Sequence, residues 1–185
     1  MREEIISELK EKMEKSVNAL KREFNKLRTG RANTSLLEGI KVECYQTKMP
    51  IEQVATISVP ESRLITIKPW DQSIIGEIEK GILKSELGLT PINDGKIIRI
   101  NIPPLTEERR KDLSRVAKKM AEECKISIRN HRREANEMLK ELKNDKEISE
   151  DEMYRGQDEV QKTTDEFIER IDELTEEKIK EIMEI

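Results

Sequence analysis

Arg129, Arg132 and Arg133, spaced i, i+3 and i+4, are the side chains of this sequence whose types and spacing best suit them to chemistry. On a helix that spacing stacks them on one face. A guanidinium carries a planar fork of donors that matches phosphate oxygens, and its plane can lie on an exposed base. The chemistry is therefore anion or RNA binding. Bond-making finds little support, because His131 is the one histidine in 185 residues and most triads and histidine-based metal sites fall away with it. The seven glycines are scattered, so no loop is built to cradle a dinucleotide. Paired carboxylates such as Asp172-Glu173 and Glu176-Glu177 read as solvated helix surface. Cys44 and Cys124 form no close pair and read as free buried thiols, as in a reducing cytoplasm. The expectation is a non-enzyme with no catalytic residue, no metal and no cofactor.

An ideal helical wheel places the arginines among further cations. With Arg129 at zero and about 100° per residue, Lys111, Arg115, Lys118, Lys125, Arg132 and Arg133 fall within about 60° of it. Leu113, Met120, Cys124, Ala135, Met138 and Leu142 gather on the opposite side, so the cations face away from the core. The competing reading is a solvated face laced by pairs such as Glu122 with Lys118 or Lys125, each worth about 0.3–0.5 kcal/mol. No aromatic interleaves this stripe, which disfavours stacking of loose strands and suits backbone and shape recognition of folded RNA.

Three long amphipathic helices must position this face. Apolar residues at Ile5, Leu9, Met13, Val17, Leu20, Phe24 and Leu27 predict one over residues 1–28, ended by Gly30. Residues 106–144 hold the second. Ser149 with Glu152 three residues later forms a capping box and opens a third, through Met153, Val160, Thr164, Phe167, Ile171, Leu174, Ile179 and Ile182. None can bury its stripe alone, so the three pack as a bundle. Charge is divided between them: residues 105–135 carry 10 basic and 6 acidic groups, residues 149–185 carry 5 and 14. An anionic partner for one face follows.

Residues 30–104 change period. Ile40–Tyr45, Ile57–Val59, Leu64–Ile67 and Ile97–Ile102 read as strands, and Asn93-Asp94-Gly95 marks a tight turn. Between them Asp71 or Ser73 caps a helix with apolar Ile74, Ile75, Ile78, Ile82 and Leu83, closed by Gly88. The expected organisation is α+β: residues 1–29 and 105–185 form a discontinuous three-helix bundle, and residues 30–104 an inserted small β/α/β domain. Two chain crossings join the parts, Thr29-Gly30-Arg31 outward and Pro103-Pro104 on the return. One loosened by glycine and one stiffened by proline make a joint. No window approaches the apolar length of a membrane span, and a soluble, cytoplasmic protein is expected.

Leu27-Arg28-Thr29-Gly30-Arg31-Ala32-Asn33, Ile67-Lys68-Pro69-Trp70-Asp71, Gly88-Leu89-Thr90-Pro91, Pro104 through Lys111, Ile128 through Asn136 and Gln161-Lys162-Thr163-Thr164-Asp165 together resemble, in order and spacing, the bacterial ribosome recycling factor family. Gln46 departs from it, standing where the family's loop after Tyr45 suggests glycine. The resemblance implies an L-shaped molecule of near-tRNA dimensions that acts after termination as a monomer. Its implied partners are the 70S ribosome, the 50S subunit through large-subunit rRNA, and elongation factor G with GTP, and no membrane. Elongation factor G would drive the smaller domain against the intersubunit bridge, splitting the ribosome and releasing mRNA and deacylated tRNA. Carried over by residue, rRNA contacts fall on Arg110, Arg129, Arg132 and Arg133, and the hinge on Thr29, Gly30, Arg31, Pro103 and Pro104. Readings of another class are a coiled-coil-like adaptor and a chaperone clamp.

Overall fold

A computed structural model describes residues 2–184 of the chain. It divides into two compact units, residues 1–27 with 108–185 and residues 28–107. The first unit holds three long helices, α1 (Arg2–Lys26), α3 (Glu107–Asn144) and α4 (Glu150–Met183). The second holds α2 (Ile75–Lys84) and six strands: β1 (Lys41–Cys44), β2 (Thr47–Pro50), β3 (Ala55–Glu61), β4 (Leu64–Pro69), β5 (Pro91–Asn93) and β6 (Ile98–Asn101). The class is α+β, a helical bundle with a small β-containing unit between its first and second helices.

In the bundle α1 buries Leu9, Met13, Val17, Leu20 and Phe24, as its spacing predicts. The stripe of α3 needs correction. Ala121 and Leu139 are buried beside Leu113, Ala117, Cys124, Ile128 and Ala135, whereas Met120, Met138 and Leu142 are half-buried. Two neighbouring helices flank α3, so its buried arc is wider than the single line drawn through alternate turns. On α4 Leu174 and Ile179 are half-buried while Thr175 and Lys178 lie inside. Thr175 keeps its hydroxyl satisfied by donating to the Ile171 carbonyl, and Lys178 places its ammonium 3.1 Å from Glu181. Gly156 lets α4 approach α3 closely, since a Cβ there would stand 2.9 Å from Leu139 Cδ2.

Capping of α4 follows the sequence: Ser149 Oγ accepts from the Glu152 amide and the Glu152 carboxylate accepts from the Ser149 amide. A bidentate pair, Arg170 to Glu14 at 2.7 Å on both branches, ties α4 to α1.

In the second unit β1 and β2 form a hairpin, and the other strands make an antiparallel sheet in the order β3-β4-β6-β5. One sheet face is covered, burying Ile65, Ile67, Ile98 and Ile100 in a core shared with Ile78 and Ile82 of α2. The sequence pattern does not predict β2 and β5, because each is short and carries a proline, which demotes a strand pattern. The Asn93-Asp94-Gly95 turn forms, with Gly95 at φ 90° and Asp94 Oδ1 accepting from the amides of Lys96 and Ile97. Asp71 rather than Ser73 supplies the cap before α2, its carboxylate accepting from the Ser73 amide. Leu83 is exposed, and α2 ends at Lys84 with Ser85 as its C-cap, so Gly88 lies beyond the helix end. Both cysteines are free and buried. No described helix is long and apolar enough to cross a membrane.

Candidate nucleic-acid interface

The four arginines singled out from sequence all lie on α3, in two groups. Arg129, Arg132 and Arg133 share two turns, and Arg110 stands about 28 Å earlier along the helix. Their environments differ. Arg133 is exposed and makes no hydrogen bond or ion pair among the described residues. Arg129 is exposed too, with Nη2 3.7 Å from Glu122 Oε1, a loose pair of small energetic weight. Arg132 is half-buried and turns toward α4, where Nη1 donates to Gln161 Oε1 at 3.4 Å. Arg110 is half-buried at the other end of α3 and donates to the Met183 carbonyl at 3.2 Å. That carbonyl belongs to the last turn of α4, where free backbone oxygens attract cations.

The wheel's assignment of Lys125 needs correction. Its ammonium sits 2.5 Å from Asp172 of α4 and its side chain is only 18% exposed. A lysine stem long enough to bend around the helix finds the acidic neighbour that an isolated wheel omits. Glu122 accordingly pairs with Arg129, not with Lys118 or Lys125. Lys118 and Lys119 are exposed and unpaired among the described residues. With Arg129 and Arg133 they leave a cationic strip on α3 facing water; of the cations that turn toward α4, Lys125 is paired with a carboxylate and Arg132 meets only the neutral amide of Gln161.

His131 lies at the rim of the core. Its Nε2 is 3.2 Å from Ser16 Oγ on α1 and its Nδ1 is 3.7 Å from Glu134 Oε2. This Ser-His-Glu line joins residues 115 apart in sequence, so no local spacing could have announced it. It is a crosslink between helices. Ser16 already donates its proton to the Lys12 carbonyl, and the surrounding amides of a mid-helix turn are spent on their own ladder rather than free to act as backbone oxyanion donors.

The crossing segments meet the β3–β4 turn inside the second unit. The Ala32 amide donates to the Ser62 carbonyl at 2.7 Å, and the Ile102 amide to the Arg63 carbonyl at 2.8 Å. Gly30 is left-handed at φ 77°, and a Cβ there would stand 3.2 Å from Leu105 Cγ. Thr29 is buried, whereas Arg31, Pro103 and Pro104 are exposed.

Residues 20–183 match the family model described as ribosome recycling factor. The ribosome-recycling factor of Nitratidesulfovibrio vulgaris is 59% identical over 183 residues, covering 99% of this chain and 98% of the relative. A solution structure of a ribosome recycling factor superposes with a TM-score of 0.79 at 48% identity, covering 100% of this chain and 98% of that one. A second structure, of the T. thermophilus ribosome recycling factor and the E. coli elongation factor G bound to the E. coli post-termination complex, gives a TM-score of 0.67 at 47% identity with full coverage of both chains.

Proposed function

The chain belongs to the ribosome recycling factor family, and from that premise we propose that it splits post-termination ribosomes into subunits together with elongation factor G and GTP. It works in the cytoplasm as a monomer, releasing mRNA and deacylated tRNA. The bundle grips large-subunit rRNA through α3, with Arg110, Arg129, Arg132 and Arg133 as contacts, and the β-containing unit is levered against the intersubunit bridge about a joint at Thr29, Gly30, Arg31, Pro103 and Pro104. The chain's own part is binding and leverage, and the GTP chemistry resides in its partner.

The observation that carries the reading is the solvent-facing set Arg129, Arg133, Lys118 and Lys119 on one helix of a protein whose net charge is −4. Such cations are placed for phosphates rather than for their own fold. Subunit splitting with elongation factor G and GTP, with and without this protein, is the direct test. Absence of stimulation would end the proposal.

The anchoring half of the reading has its own measurement. If about four phosphates are neutralised, log K for 50S binding falls against log salt with a slope of roughly −3 to −4. Replacing Arg129 and Arg133 together by Ala reduces that slope by about 2. Both side chains are exposed and the helix tolerates Ala, so the melting curve stays within about 0.5 kcal/mol of wild type. A salt-independent affinity would point to a protein contact instead.

A further inference from the structure

We propose that Gln161 and Asp165 of α4 are positioning residues that aim the Arg132 guanidinium at its phosphate. The inference rests on the reading of Arg132 as an RNA contact and adds a second helix to that site. Arg132 Nη1 donates to Gln161 Oε1 at 3.4 Å, and Gln161 Nε2 donates to Asp165 Oδ1 at 2.8 Å. Gln161 and Asp165 are both exposed and stand one turn apart on α4, so this chain of contacts is not a core device.

The order of the groups explains itself chemically. An ionised carboxylate only accepts, so Asp165 must receive the NH2 end of the amide. The carbonyl end then has to face Arg132. Without Asp165 the amide would be free to turn its NH2 group toward a guanidinium that also only donates. The relay therefore fixes the one amide orientation that can hold Arg132.

The contrast with Lys125 gives the device its purpose. Along the same α3–α4 seam Lys125 meets Asp172 directly at 2.5 Å, and its charge is cancelled where it stands. At Arg132 the carboxylate is set one step back, behind a neutral amide. A guanidinium has five N–H donors, and a single bond to a neutral oxygen restricts its rotamers while leaving its charge and most donors for an incoming phosphate. Restricting a flexible side chain before binding lowers the entropy that binding must remove.

The test is equilibrium binding to purified 50S subunits, with thermal melts run on every variant. Arg132→Ala weakens binding; an unchanged affinity would remove Arg132 from the RNA contact and take this inference with it. Gln161→Ala weakens binding about 3–10-fold with the melt unchanged, and adds little in the Arg132→Ala background, because its effect passes through that side chain. Asp165→Ala gives a similar loss, and Asp165→Asn recovers most of it, since its Oδ1 still accepts from the amide. If Arg132→Ala weakens binding but Gln161→Ala does not, or if the two losses add in full, Gln161 does not position Arg132 and the proposal fails while the reading of Arg132 stands.

Discussion

At Tyr45 and Gln46 the backbone carries strain that can be located to two residues. The β1–β2 hairpin pairs Cys44 with Thr47, so only these two make the turn, and both are left-handed, at φ 50° and 63°. A two-residue turn of that hand suits the twist of the strands and prefers Asn-Gly. Tyr45 has a compensating contact, its hydroxyl donating to the Asp71 carboxylate, but Gln46 has none among the described residues. Relief of a left-handed Cβ is worth about 1–2 kcal/mol, and the extra freedom of glycine in the unfolded chain takes back about 0.4–1 kcal/mol. Gln46→Gly should therefore raise stability by about 0.5 kcal/mol, read as a higher denaturant midpoint with unchanged slope. A lower midpoint would mean that the glutamine side chain contributes something the backbone argument misses. The family resemblance singles out this position as one where glycine is expected, and the structure keeps the turn without it.

Among the elements, α4 is the one whose start is fixed most locally, and its cap should be visible in a pH series. The Ser149 amide and hydroxyl both donate to the Glu152 carboxylate and hold its pKa below the ordinary value. A carboxyl depressed in the fold contributes stability above its unfolded pKa of about 4.3, and loses it as pH falls through the folded value. The melting temperature of Glu152→Gln should thus lie below wild type at pH 7, with the gap closing below about pH 4. A gap that persists at low pH would mean that the lost contact is not ionic. Ser149→Ala, which removes the cap oxygen itself, costs about 1 kcal/mol. How far elements are legible follows the same line between local and non-local causes. Period, caps and turn residues announce α1, α3, α4, the Asn93-Asp94-Gly95 turn and the arginine cluster, because each is set within a few residues. Lys125 with Asp172, Arg132 with Gln161 and Ser16 with His131 depend on which helix lies alongside, and one helix's wheel carries no trace of its neighbour. β2 and β5 escape because three or four residues with a proline are paired by their partners, not by their own pattern.

For the whole chain, the proposed lever depends on the two crossings. Two strands of chain joining the same pair of units permit rotation about the line between them and restrict separation. At their second-unit ends both crossings are pinned, Ala32 to Ser62 and Ile102 to Arg63, two adjacent residues of the β3–β4 turn. The proposed joint takes up the bonds on the bundle side of those pins, at Thr29, Gly30, Arg31, Pro103 and Pro104. Spin labels at Leu83→Cys in α2 and Tyr154→Cys in α4 would report it. Both positions are exposed, whereas Cys44 and Cys124 are buried and burial raises the Cys124 thiol pKa, so the native cysteines should react slowly and can be left in place. The free protein should give a broad distance distribution, narrowing when 50S subunits are added. Gly30→Ala, which forces a Cβ into the left-handed region and toward Leu105, should shift or narrow the free distribution and lower splitting activity while leaving the salt slope of 50S binding intact. A single narrow distribution in the free wild type would remove the joint, and recycling would then have to be explained by rigid-body wedging of the whole factor.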